Sequence, residues 1–208
     1  MTLSVPRLWP GATVACLGGG PSLSADQVAR LRGRARVIAI NDAWRLAPWA
    51  DVLYACDGRW WRKHAGVPDF AGLKITLSNS AAQVADWPEI AVLQNTGIEG
   101  LERAPHGLRS GRNGGYQAIN LAVHFGARRI LLLGYDMKVA ADGRSHWFGE
   151  HADWPVRPTL YRDVFLPHFE GLAHDLDAAG VDVVNCTPGS ALDAFRKAPL
   201  DWALATCL

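Results

Sequence analysis

The sequence is poor in the features that mark most specialised protein classes. Four cysteines, Cys16, Cys56, Cys186 and Cys207, are spread through 208 residues with no C-x-x-C pair, which disfavours a zinc ribbon, a redox dithiol or a disulfide-stapled scaffold. Three of them end or lie in apolar runs that read as buried strands, where a thiol behaves as a small apolar group. Charge of one sign is also missing: 21 Lys and Arg against 20 Asp and Glu leave a net +1. Nucleic-acid binding by counterion release therefore has no support from charge. No stretch approaches the roughly 18 apolar residues of a membrane span. Met1 to Pro10 carries neither an apolar h-region nor a small-residue cleavage site. The expected location is the cytoplasm, with reduced thiols. G-x-G-x-x-G, the Walker A loop and the G-x-S-x-G elbow are absent too, lowering the dehydrogenase, P-loop and α/β-hydrolase readings.

What is present reads as an ordinary globular chain. Hydrophobic residues make up 49% and charged residues 20% of it, and its length is close to what one domain holds. Short apolar runs alternate with helical patterns, the signature of a parallel sheet with crossover helices. Strands are expected at 12–17, 36–40, 51–56, 129–133 and 181–185, with shorter ones at 72–77 and 90–94. Helices are expected at 23–31, 114–125, 159–179 (bent at Pro167) and 191–197. The fold class is thus α/β, a Rossmann-like open, mainly parallel sheet flanked by helices. Residues 1–208 are expected to form a single domain with a mobile loop at about 138–158. Nine tryptophans, including the adjacent Trp60 and Trp61, serve either core and rim packing or stacking against a base or sugar.

Four groups of residues could carry chemistry. Gly18-Gly19-Gly20-Pro21-Ser22 directly follows the first strand: glycines admit close backbone approach, Pro21 presets a helical turn, and the Ser22 hydroxyl joins helix N–H groups that attract anions. The alternative is a tight turn without a ligand. Asn41, Asp42, Asp57 and Asp136 each stand at the carboxyl end of an expected parallel strand, where open α/β sheets bind ligands. Any single one is equally explained as a helix cap. Arg109-Ser110-Gly111-Arg112-Asn113-Gly114-Gly115 forms a second glycine-rich helix entrance, either an anion site or a solvated loop. Asp142 to His151 holds two histidines and two carboxylates, suited to acid/base or phosphate contact, to a divalent metal, or to a structural loop.

The order strand–Gly-x-Gly-Pro-Ser-Leu–helix, strand–Asn, then Ser-Gly–helix–strand–Gly-x-Asp resembles the bacterial lipooligosaccharide sialyltransferases. It is also similar to the MptE-like 6-hydroxymethylpterin diphosphokinases. Uncharacterised tailed-phage and prophage proteins resemble nearly the whole chain, through Asn41–Asp51, Gln117–Ala122, Gly134-Tyr135-Asp136-Met137 and His146-Trp147-x-Gly149-x-His151. The sialyltransferase resemblance implies that Gly18, Gly20, Pro21, Ser22 and Asn41 hold a cytidine nucleotide, with Ser110-Gly111 near the donor phosphate. It also implies a histidine base, for which His146, His151 and His168 are the candidates. Three departures stand out. Gly19 replaces a family asparagine, the family tyrosines at the leaving phosphate are replaced around Lys138 and His146, and the base has no single counterpart. Asn185 to Leu192 is similar to the family's closing segment.

The leading expectation is a transferase using a nucleotide-activated donor, most naturally a sugar nucleotide. Ser22, Asn41 and Ser110 would position the nucleotide. Arg109, Arg112 or Lys138 would neutralise phosphate, and His146 or His151 would deprotonate the acceptor hydroxyl. One alternative is Mg²⁺-dependent phosphoryl or diphosphate transfer with Asp57, Asp136 or Glu150 as metal ligands. Another is a module that binds or sequesters a nucleotide without turnover. A small-molecule nucleotide donor is the expected partner, while the acceptor and self-association into a homo-oligomer stay open.

Overall fold

The computed structural model describes residues 4–150 and 157–206. Nine parallel strands form one open sheet in the order β6-β5-β4-β3-β2-β1-β7-β8-β9. They are β1 Thr13–Leu17, β2 Arg36–Ile40, β3 Val52–Tyr54, β4 Leu73–Leu77, β5 Ile90–Asn95, β6 Gly107–Leu108, β7 Arg129–Leu133, β8 Asp182–Asn185 and β9 Arg196–Lys197. The α-helices are α1 Ala25–Ala29, α2 Gly58–Lys63, α3 Gly114–Phe125, α4 Pro158–Leu160, α5 Phe169–Ala178 and α6 Leu200–Ala205.

Both faces of the sheet are covered, which explains why its strands read as unbroken apolar runs. Successive side chains point to opposite faces. Val14 and Cys16, Ile38 and Ile40, and Ile130 and Leu132 enter a core shared with α3 and α5. Ala15 and Leu17, Val37 and Ala39, and Leu131 and Leu133 enter a second core with α1, α2 and α6. Trp61 belongs wholly to that second core and donates its indole N–H to the Ala55 carbonyl. Cys16 and Cys186 are buried free thiols, as their apolar settings imply.

The sheet reverses its strand order at β1: β2 to β6 build outwards on one side, β7 to β9 on the other. Such a reversal splays the connections leaving neighbouring strands and opens a crevice at their carboxyl ends. Helix α3 begins at that crevice. Its Asn113 side chain caps the amides of Gly115 and Tyr116, and Gly126 ends it in the left-handed conformation at φ 101°.

Three expectations need correction. The first helix spans only Ala25–Ala29, because Ser24 and Gln27 close a capping box there. Pro21 and Ser22 thus lie in a turn ahead of the helix rather than in its first turn. No helix occupies 191–197. Asn185 donates to the Leu192 carbonyl, the Ser190 hydroxyl accepts from Leu192 N–H, and Arg196–Lys197 pairs with β8 instead. The C-terminal helix follows Pro199 as α6. The bend expected at Pro167 takes the form of a π-helical stretch, Tyr161–Phe165, running into a 3-10 turn, Leu166–His168. Residues 138–150 form turns closed by a His146–Gly149 bridge. Among the described residues no helix is long and apolar enough to cross a membrane.

Candidate functional site

A cavity of about 370 Å³ opens at the carboxyl ends of β3, β2, β1 and β7. With neighbouring strands about 4.8 Å apart, its floor runs roughly 14 Å across the sheet. The residues that immediately follow those four strands form the floor, because each chain must turn there. Gly18, Gly19, Gly20, Asn41, Asp42, Asp57, Asp136 and Lys138 all line it. Arg112, Asn113, Gly114 and Gly115 at the start of α3 form one wall, and His146 and Phe148 with Tyr161 and Phe165 form another.

Other residues singled out in the sequence lie elsewhere. Pro21, Ser22, Arg109, Ser110 and Gly111 are outside the lining. The Ser22 hydroxyl donates to Asp136 Oδ2 at 2.9 Å. Arg109 donates to the Thr96 carbonyl at 2.6 Å and pairs with Glu102 at 3.4 Å. Gly111 is a glycine because it sits at φ 46° with Tyr116 directly over it. His168 is paired with Glu99 at 3.2 Å, away from the cavity. His151 lies outside the described residues.

The glycine turn after β1 is built mainly for contact between backbones. A Cβ on Gly18 would stand 2.5 Å from the Gly134 carbonyl oxygen, and one on Gly20 would stand 2.0 Å from Asp136 Oδ2. Both are too close for any side chain, so β1 and β7 can leave the sheet side by side only with glycine there. Gly19 differs: its Cβ would meet only His146 Nδ1, at 3.3 Å. The Trp147 amide donates to the Gly19 carbonyl and docks the 138–150 loop onto the turn. The His146 ring lies parallel to Phe148, with centroids 5.1 Å apart.

Electrostatics divides the lining. Asp42 is buried and accepts from the Trp60 indole at 2.9 Å, with His64 Nε2 at 3.5 Å. Asp57 caps α2 and holds Arg59 through both carboxylate oxygens. Burial tends to raise its pKa, but the hydrogen bonds and charge of Arg59 outweigh that and keep it below the usual carboxylate range. Burial wins at Asp136, whose pKa is raised despite the hydrogen bonds from Ser22 and the charge of Lys138. Burial, with the charges of Glu150 and Asp136, pushes the Tyr161 phenol up to about 12, so it stays a hydrogen-bond donor. In contrast, Arg112 and Lys138 are exposed and form no ion pair or hydrogen bond among the described residues. The Gly114 amide at the start of α3 has no acceptor there either. Two cations without ion pairs and a helix N-terminus therefore face one cavity, an arrangement that attracts an anion.

Backbone strain collects at the same place. Asn41 at φ 48°, Arg112 at φ 53° and Met137 at φ 50° all line the cavity in the left-handed region. Non-glycine residues are uncommon there, and clusters of them mark ligand sites more often than chance turns. The Asn41 amide makes no hydrogen bond among the described residues.

Sequence reasoning missed Arg59 and Tyr161. Arg59 was within reach, two residues past the strand-end Asp57 on the helix it caps. Tyr161 arrives from a distant irregular helix and carries no local signal. For the Mg²⁺ alternative, no three His, Cys, Asp or Glu side chains gather among the described residues, so any metal would rest on one or two carboxylates and the substrate's phosphates. Glu150 instead accepts from the Ser145 amide at 2.5 Å, while Asp57 and Asp136 are engaged as described.

An open, doubly wound parallel sheet with a cavity at its switch point defines a Rossmann-like fold. The comparison with solved structures gives that architecture a concrete neighbour. The chain is similar to the sialyltransferase CstII from Campylobacter jejuni, solved in complex with a substrate analogue, cytidine-5'-monophosphate. The TM-score is 0.58 at 12% identity, over 92% of this chain and 86% of that one. At that identity the likeness establishes the fold. No protein-family model matches the sequence, and no curated protein sequence matches it.

Proposed function

We propose that the chain is a transferase acting on a nucleotide-activated donor, with a sugar nucleotide as the donor class and the cytoplasm as its place of work. The observation that carries this reading is that Arg112, beside the N-terminus of α3, and Lys138 both line the switch-point cavity with no ion pair among the described residues. A phosphate held there has its charge balanced as the leaving nucleotide departs, and stabilising developing charge is usually the largest catalytic contribution. Tyr161, kept protonated, adds a donor to the same end. Asn41, strained and with a free amide, would read the nucleoside at the β2 end. His146 is the base that would take the acceptor proton. The solved neighbour is described as a sialyltransferase in complex with a cytidine nucleotide, which favours cytidine as the first base to try.

The test is calorimetric titration with CMP, UMP, AMP and GMP and with cytidine and uridine sugar nucleotides, each with EDTA and with Mg²⁺. Tight binding of one pyrimidine nucleotide in EDTA, followed by release of that nucleotide from its sugar donor, is the expected result. A requirement for a triphosphate with Mg²⁺ would move the assignment to phosphoryl transfer. Binding without release from any donor would leave a nucleotide-sequestering module. The 138–150 loop contributes Ser145, His146 and Phe148 to the lining, so its proteolysis should slow at saturating nucleotide.

A further inference from the structure

We propose a second anion site at the opposite end of the sheet, taking a small phosphate-bearing molecule. A groove of about 750 Å³ lies at the amino ends of the strands, between the segments that lead into β1, β6, β7 and β8. Arg7, Arg103 and Arg128 converge on it from three of those segments. Val5, Leu101 and Val123 supply apolar lining beside them.

Three features point to a ligand. First, the three guanidinium groups form no ion pair or hydrogen bond among the described residues. Helices α3 and α5 both end at this groove, and their last carbonyls are already taken by backbone amides, among them Gly126 to Val123, Ala127 to Ala122 and Gly180 to Asp177, so the arginines are not held there as caps.

Second, the groove's own carboxylate is already committed. Glu102 is held low by the Thr96 hydroxyl, the Ala104 and Arg103 amides and the charge of Arg109. It has its own cation in Arg109 and does not neutralise the three. His124, the other titratable group here, is buried against the Gly107 carbonyl at 2.8 Å, and burial lowers its pKa. It adds no cancelling negative charge.

Third, the surface is concave and mixed, with cations beside apolar side chains, rather than a flat basic face. Planar guanidinium forks match phosphate oxygens in pairs. An apolar floor next to them suits the organic part of a phosphate ester. Helix α3 runs from the switch-point cavity to this groove, a length of about 18 Å for its rise of 1.5 Å per residue. The two anion sites are therefore separate, and one can be removed without touching the other.

The experiment uses the full chain carrying R112Q and K138Q, so that pyrophosphate binding at the switch-point cavity is suppressed. Inorganic pyrophosphate is titrated by calorimetry at fixed ionic strength, with sulfate as the control anion. Saturable pyrophosphate binding is expected to persist in this background, and to weaken roughly tenfold or more when R7Q, R103Q and R128Q are added. Circular dichroism and melting temperature verify that the variants are folded; all three arginines are exposed, so folding should be unaffected. Absence of binding in the R112Q/K138Q background, binding no stronger than that of sulfate, or binding indifferent to the three arginines would each overturn the proposal. Arginine-dependent sedimentation with phosphatidylcholine vesicles containing about a fifth phosphatidylglycerol, without pyrophosphate binding, would overturn it in favour of a membrane surface.

Discussion

The two glycine-rich turns at the switch point look alike in sequence and do opposite jobs. Gly18 to Ser22 turns its polar groups inward apart from the Gly19 amide, which has no acceptor among the described residues. The Gly18 amide donates to the Leu133 carbonyl, the Gly20 amide to the Gly134 carbonyl, and the Ser22 hydroxyl to Asp136. Arg112 to Gly115 leaves a guanidinium and an amide facing the cavity. Glycine content therefore reports how closely two backbones approach. Which turn binds an anion is decided by what remains unpaired after folding, and that depends on the partner strand as much as on the turn.

The largest expected effect lies in the first turn. Gly20→Ala forces a side chain against Asp136 and the Gly134 carbonyl and should cost about 3 kcal/mol of stability, read as a melting point lower by roughly 6–12 °C. Gly19→Ala, whose methyl would meet only the His146 ring at 3.3 Å, should lose less than about 1 kcal/mol; equal losses at both positions would erase the distinction. Next come the cations of the second turn. Arg112→Gln with Lys138→Gln should weaken nucleotide binding roughly 10- to 100-fold while leaving the melting temperature near that of wild type, because neither side chain has a protein partner to lose. Unchanged affinity would show that the anion sits elsewhere. Asn113→Ala removes the cap of α3 and should cost about 1 kcal/mol, with a smaller loss of affinity because the capped amides of Gly115 and Tyr116 are then released.

The smallest effect is a pH dependence. The folded-state pKa of Asp136 is raised, so the folded chain holds that proton more tightly than the unfolded chain. Its contribution to stability is present at low pH and is lost as pH rises from the unfolded value near 3.8 through the folded one. Asp136→Asn removes this loss. The variant's melting temperature relative to wild type should be more favourable at pH 7 than at pH 4. The reverse order would place Asp136 among the carboxylates stabilised by Lys138, as Asp57 is by Arg59.

Much of the frame was legible in the sequence, for reasons that can be named. Helix α3 and strands β2 and β7 have the expected ends, because long apolar patterns are bounded there by strong stop signals such as Asn113 and Gly126. The capping box of Ser24 and Gln27 was also written in the sequence and would have set the start of α1. Strands β6 and β9 were not legible. Each has two residues, and their pairing is dictated by β5 and β8 rather than by a pattern of their own. Strand-end residues such as Asn41, Asp57 and Asp136 could be placed at the cavity because a parallel sheet gathers its carboxyl ends by rule. Ser22 and Arg109 could not be resolved that way, since each is claimed by a partner more than ten residues away in the chain.

The strand order has a consequence for how the chain is made. β1 finds its neighbour β2 soon after it is synthesised, but its other neighbour, β7, arrives more than a hundred residues later. Until then one flank of this central strand is an unpaired edge, open to pairing with another chain. Such long-range pairing slows folding and prolongs that exposure. The seam between β1 and β7 is also where the cavity forms, so the proposed ligand site and the pairing of the two halves of the sheet should appear in the same step, and a nascent chain would gain any protection by ligand only once β7 has paired with β1.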